Sequence, residues 1–266
     1  MINLLLTLLL MAGKGQLITC TIPPVTSLVR AVGGQEFKYV TLLPAEANPH
    51  TYEPSPKQLL KAGSSKLIFA AGGGIDSWAA KFKTKNRRIA ELEDLLRKEG
   101  AGVRNPHFWL NPQLARRSLF VIARELSRIK PEKWDYFYRR ACEYSDRIES
   151  MVMSEKASIK KLKNRRVIVY HDAWEGFAET FGLEVVDIIA KNPALEPTLQ
   201  EIKKVVEMGR KMGVKVVLKE KPFPGRLPET VASEIGAKVV EVDPLFAGDY
   251  IGSIRTNLEK IEEALK

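Results

Sequence analysis

Three histidines are the only imidazoles in this 266-residue chain: His50, His107 and His171. Imidazole is the commonest metal-ligating side chain at neutral pH, and three of them suit zinc, which takes nitrogen at about 2.0–2.1 Å in a tetrahedron. Two of the three occur in the same phrase. Asn48-Pro49-His50-Thr51-Tyr52 and Asn105-Pro106-His107-Phe108-Trp109 both read N-P-H-x-aromatic. Proline fixes its own φ and pushes the preceding residue into extended geometry. Each imidazole is thereby delivered by a stiff backbone, and the aromatic that follows can wall off water. A tetrahedron asks for a fourth group. Asp243, directly before Pro244 at the end of an apolar run, is the best-placed carboxylate, although Asp-Pro also initiates turns. Glu196, within Asn192-Pro193-Ala194-Leu195-Glu196-Pro197, is a candidate acceptor for an imidazole N–H behind the ligands, and equally a solvated loop carboxylate.

The elements that must position these residues follow from short apolar runs alternating with helix-length segments. Residues 17–21, 38–43, 66–70 and 88–92 read as strands in the first half, and 166–170, 184–189, 214–219 and 237–242 in the second. Between them, Ser55-Pro56-Lys57-Gln58 and Thr198 with Glu201 form capping boxes, Asn111-Pro112 opens a helix to about residue 129, and Asp172 with Glu175 reads as another helix start. Strand and helix in alternation predict an α/β fold of two lobes, each a four-stranded parallel sheet flanked by helices. Residues 131–162 contain no glycine and no later proline, while Trp134, Phe137, Tyr138, Ala141, Tyr144, Ile148 and Met151 recur at three- and four-residue steps. That spacing predicts one rigid helix of about 30 residues, some 45 Å long, joining the lobes. The expected organisation is a signal or anchor segment over 1–15, a first lobe over 16–130, the linking helix over 131–163 and a second lobe over 164–266. The histidines fall in strand-to-helix connections or helix-leading loops, and Asp243 follows a strand. In open parallel sheets that edge binds ligands, so an ion would sit between the lobes.

Composition limits the alternatives. With 45% hydrophobic residues the chain has ample surface to bury, which excludes disorder, and no apolar run reaches the length of a bilayer helix. Two cysteines build neither a disulfide scaffold nor a cysteine zinc site; Cys20 in a strand and Cys142 in a helix read as apolar residues. The net charge of +10 is densest from Lys156 to Arg166, where no aromatics interleave to stack on bases, so it reads as a solvated helix end with no nucleic-acid partner. Residues 1–12, MINLLLTLLLMA, have the length of a signal-peptide apolar core without its basic leader.

Taken together, TIPPVTSLVRAVGG from Thr21, LLPAEANPHTYEPSPKQL from Leu42, PHFWLNPQLA from Pro106, VIVYHDAWEGFAETFGLEV from Val167, NPALEPT from Asn192 and GAKVVEVDPL from Gly236 resemble the zinc/manganese-binding proteins of metal-uptake ABC transporters. The resemblance implies two parallel-sheet lobes on a helical spine, with metal ligands at His50, His107, His171 and Asp243. Members tuned to manganese tend to carry a carboxylate where His171 stands, so this chain looks like the zinc branch; nitrogen-rich sites also favour zinc over manganese. Two features depart from the pattern. Residues 81–104 hold no histidine-rich loop, and Lys14 follows the apolar stretch where lipoprotein members have cysteine. The resemblance implies a monomeric, extracytoplasmic binding protein, not an enzyme, that captures Zn²⁺ and delivers it to an ABC permease with its ATPase. It would meet the membrane surface through its N-terminal segment or the permease. Manganese or iron uptake is the alternative within the class. A zinc-dependent hydrolase is the alternative outside it, and would need an open water position and a general base.

Overall fold

The computed structural model describes residues 15–266 except 45–46, 85–86, 192–195, 222–225 and 247. The expected signal or anchor segment therefore lies, up to residue 14, outside the described residues. The first lobe is built from β1 (Gln16–Cys20), α1 (Pro23–Gly33), β2 (Phe37–Thr41), α2 (Pro56–Lys61), β3 (Leu67–Ala70), β4 (Arg88–Glu91) and α3 (Leu92–Lys98). Its sheet has the order β2-β1-β3-β4 with every pair parallel. β3 is buried on both faces, as a continuous apolar run without alternation requires in a sheet covered by helices. Next come α4 (Pro112–Ser127) and the long α5 (Trp134–Ile159). The second lobe comprises β5 (Arg166–His171), α6 (Glu175–Phe181), β6 (Glu184–Ala190), α7 (Leu199–Met212), β7 (Val216–Glu220), α8 (Leu227–Ile235), β8 (Lys238–Val242) and α9 (Tyr250–Leu265). Its order, β6-β5-β7-β8, repeats the first sheet, again all parallel.

Helix starts follow their sequence signals. The Asn111 side chain accepts from the N–H groups of Gln113 and Leu114 to open α4, and the Thr198–Glu201 box opens α7. Such a cap contributes about 1 kcal/mol. One expectation is corrected. Asp172 does not cap α6, which begins at Glu175 after Trp174; Asp172 Oδ1 instead accepts from Asn105 Nδ2 at 3.1 Å, across the lobes. The linking helix is present as predicted: a 3-10 turn at Pro131–Lys133 leads straight into 26 residues of α-helix. At 1.5 Å per residue it spans about 39 Å.

That helix belongs to both lobes. Near its start Arg140 Nε donates to the Ala31 and Val32 carbonyls at the end of α1, at 3.0 and 3.1 Å. Midway, Arg116 Nε of α4 donates to Ser145 Oγ at 3.0 Å, and near its end Ser158 Oγ donates to Glu262 Oε1 at 2.9 Å. The main core is accordingly continuous from Ile18 and Phe69 of the first lobe, through Phe137, Ala141 and Ile148 of α5, to Val169, Leu218 and Ile254 of the second. A smaller cluster with Ile168, Val205, Val217 and Val231 fills the other face of the second sheet. Both cysteines are free; burial pushes the Cys20 thiol up to about 12, leaving it an apolar filler of the core.

Candidate metal centre

The repeated N-P-H phrase is repeated in geometry. Asn48 Oδ1 accepts from His50 N at 3.0 Å, and Asn105 Oδ1 accepts from His107 N at 2.9 Å. Each is an asparagine side chain bonding the backbone two residues on, a turn this residue favours. The surrounding aromatics fix each loop. Trp78 Nε1 donates to Pro49 O at 3.0 Å beside the Tyr52 ring, and Trp109 Nε1 donates to Pro244 O at 2.8 Å. His171 needs no loop. It is the last residue of β5, one residue further than the predicted strand, and is delivered by the sheet itself.

These three deliveries converge. His107 Nε2 lies 3.4 Å from His50 Nε2 and 3.3 Å from His171 Nε2, and the three ligand atoms all lie within 4.8 Å of one another. In a tetrahedral site with zinc–nitrogen bonds of about 2.0–2.1 Å, two ligand nitrogens stand about 3.3–3.4 Å apart. The imidazole tautomers follow from the partners behind the rings. His107 Nδ1 is 2.8 Å from Asn105 Oδ1, and His171 Nδ1 is 2.8 and 2.7 Å from the two oxygens of Glu220. Acceptors at both Nδ1 atoms place the protons there and leave the Nε2 lone pairs aimed at a common point. Lone pairs facing one another repel, and a cation between them turns that repulsion into bonding.

Burial keeps His50 and His107 neutral. His107 is 9% and His171 3% exposed, whereas His50 is half-buried. Desolvation, with the His171 ring second, lowers the His50 imidazole to about 4. Desolvation, then the His171 and His50 rings, holds His107 well below the usual histidine value. Neutral imidazole is the form that binds metal.

Neither carboxylate proposed from sequence is part of the three-histidine group. Asp243 follows β8 at the same edge, but its carboxylate is outside the three-histidine group: Oδ1 accepts from Leu245 N at 2.9 Å and Oδ2 stands 3.6 Å from Lys221 Nζ. Its backbone is held on both sides by the Asn257 amide, at 2.9 and 2.8 Å. Glu196 is exposed, and the carboxylate behind His171 is Glu220, which is fully buried. Sequence reasoning missed Glu220 because Lys219-Glu220-Lys221 reads as a charged, solvated strand end. A signal was present, since Glu220 continues the inward alternation of Val216 and Leu218.

Bonds across the lobes close the site. Besides Trp109 to Pro244, Tyr250 Oη donates to the Trp109 carbonyl at 2.8 Å, and Arg104 pairs with Glu179. Gly176 approaches so closely that a Cβ there would stand 2.7 Å from Asn111 Cβ.

The model of the family "zinc-uptake complex component A, periplasmic" matches residues 18–264. The high-affinity zinc uptake system protein ZnuA of Bacillus subtilis is 23% identical over 253 residues, covering 84% of this chain and 79% of that protein. The zinc-binding lipoprotein AdcA of Streptococcus pneumoniae is 24% identical, covering 94% of this chain; the chain spans only 56% of that relative's length. The manganese ABC transporter substrate-binding lipoprotein PsaA of Streptococcus pneumoniae is 25% identical, covering 96% of this chain and 90% of that protein. Among solved structures, a crystal structure of ZnuA superposes with a TM-score of 0.85 at 28% identity, covering 95% of this chain and all of that one.

Proposed function

The chain belongs to the periplasmic zinc-uptake complex component A family, and from that premise we propose that it captures Zn²⁺ outside the membrane and passes it to an ABC permease with its ATPase. His50, His107 and His171 are the proposed ligands. The observation that carries this reading is the Nε2 spacing of 3.3 and 3.4 Å, which equals the edge of a zinc–nitrogen tetrahedron. Three imidazole nitrogens also favour zinc over manganese, which suits oxygen-rich sites. Asp243 remains the proposed fourth ligand. It stands at the ligand edge of the same sheet as His171, on a loop tied to that of His107, its carboxylate held aside by Leu245 N at 2.9 Å and by a 3.6 Å contact with Lys221.

Four protein ligands would leave no open coordination position for an activated water, so the function is binding rather than hydrolysis. Among the described residues no helix is long and apolar enough to cross a membrane. Delivery to a membrane partner would then rest on the permease or on the apolar residues 1–12.

Zinc titration of metal-free protein tests the reading. The expected result is sub-micromolar affinity, lowered at least a hundredfold in His171→Ala, with zinc retained over manganese after dialysis against both. Affinity unaltered by His171→Ala removes the ligand assignment. Preferential retention of manganese reassigns the cargo, and unaltered affinity in Asp243→Asn gives the fourth position to water.

A further inference from the structure

The stretch that carries His107, residues 104–111, belongs to the first lobe by chain order but is tied to the second along its length. Arg104 pairs with Glu179 of α6, Trp109 Nε1 donates to the Pro244 carbonyl, and Tyr250 Oη of α9 donates back to the Trp109 carbonyl. Asn105 makes the tie nearest the ligands. Its Oδ1 accepts from His107 N at 2.9 Å and stands 2.8 Å from His107 Nδ1, while its Nδ2 donates to the Asp172 carbonyl and, at 3.1 Å, to Asp172 Oδ1. Asp172 directly follows His171. One planar amide therefore holds the His107 ring with its oxygen and the strand end that carries His171 with its nitrogen. The matching phrase is anchored differently. Asn48 Oδ1 accepts from His50 N at 3.0 Å, but that loop is tied to its own lobe, through Trp78 Nε1 to the Pro49 carbonyl.

A binding constellation works only if its ligands are held within about 0.5 Å of the productive geometry by side chains that are themselves locked. An amide bonded at both ends is locked, and here its two ends lie on different lobes. We propose that Asn105 is a positioning residue that assigns His107 to the second lobe, so that the centre divides between His50 on one side and a His107–His171 pair on the other. Chain order alone would divide it after His107, with two histidines on the first lobe and one on the second. The pair moves as one body with its Nε2 atoms 3.3 Å apart, and any parting of the lobes widens the gap to His50. The inference rests on the three histidines being the metal ligands, and adds how they are grouped and which residue groups them.

A double-mutant cycle on zinc affinity tests the grouping. Asn105→Asp keeps an acceptor for His107 and removes the donor that faces Asp172. Its effect is measured by zinc titration of the full chain in three backgrounds: otherwise wild type, His50→Ala and His171→Ala. The charge it adds is common to all three and cancels between them. In wild type and in His50→Ala the substitution should weaken zinc binding at least about tenfold more than in His171→Ala, where His107 has no partner left to be held against. Asp172→Ala cuts the side-chain half of the contact from the other lobe. It should show the same dependence on His171, more weakly because the backbone carbonyl remains. A residue that merely keeps its loop folded would cost the same in every background, and that result overturns the proposal. So does an effect that needs His50 rather than His171. Failure of the metal reading is seen separately, as zinc affinity unaltered by His50→Ala and His171→Ala before Asn105 is changed.

Discussion

The chemistry of single residues at this centre is decided behind the rings, by the groups that hold the Nδ1 protons. Glu220 matters most, because it is the buried carboxylate in contact with an imidazole. Glu220→Gln keeps the volume and removes the charge, and zinc affinity is expected to fall about 10- to 100-fold, as for other carboxylates behind a ligating histidine. Competitive titration against a chelator measures this, and an unchanged affinity would return Glu220 to a merely structural role. A second expectation concerns protons. An unfolded histidine titrates near about 6.5, whereas folded His50 titrates at about 4 and His107 well below its ordinary value. Between those values the unfolded chain binds protons that the folded chain refuses. Metal-free stability is therefore complete above about pH 6.5 and falls as the pH drops towards 4. Urea midpoints at stepped pH should show that slope, and His50→Ala should flatten it. The histidines were legible in the sequence because their type is rare and their loops carry proline. Glu220 was not, because its role depends on register: Val169 pairs with Leu218, so two residues on His171 stands beside Glu220. Where the Asp243 carboxylate turns depends on Leu245 N and on Lys221, and the approach of Lys221 is one no spacing encodes.

Among the elements, the starts of α4 and α6 meet at Gly176, and that contact sets the distance between the lobes. Gly176→Ala adds one methyl group against Asn111 Cβ, a clash typical of overpacking changes that cost about 1–3 kcal/mol. It touches no ligand, yet it should lower both the thermal midpoint and the zinc affinity. A loss of stability with affinity intact would show that the lobe spacing does not set the ligand geometry. The strand and helix pattern of both lobes was readable from apolar runs and capping residues. The long helix was readable too, although periodicity alone does not reveal that Pro131 starts it with a 3-10 turn. Asp172 was misread for a different reason. It has the type of a cap, but Asn105 reaches it from the other lobe before any helix begins.

In the whole molecule, one apolar core runs through both lobes and the helix between them. Calorimetry is expected to show a single unfolding transition despite the two sheets, with zinc raising it as one unit. Saturation at a thousandfold over Kd corresponds to about 4 kcal/mol. Two transitions, only one of them zinc-sensitive, would mean that the lobes melt separately. The uneven burial of the three histidines has a further consequence, for traffic. His107 and His171 are sealed by Trp109, Tyr250 and Glu220, whereas His50 is half open to solvent on its own loop. For the proposed cargo, exchange would therefore have a direction. An incoming ion would shed its water on the His50 side, and a departing one would break its bond to His50 first, so the residence time of the cargo would be set at that one loop.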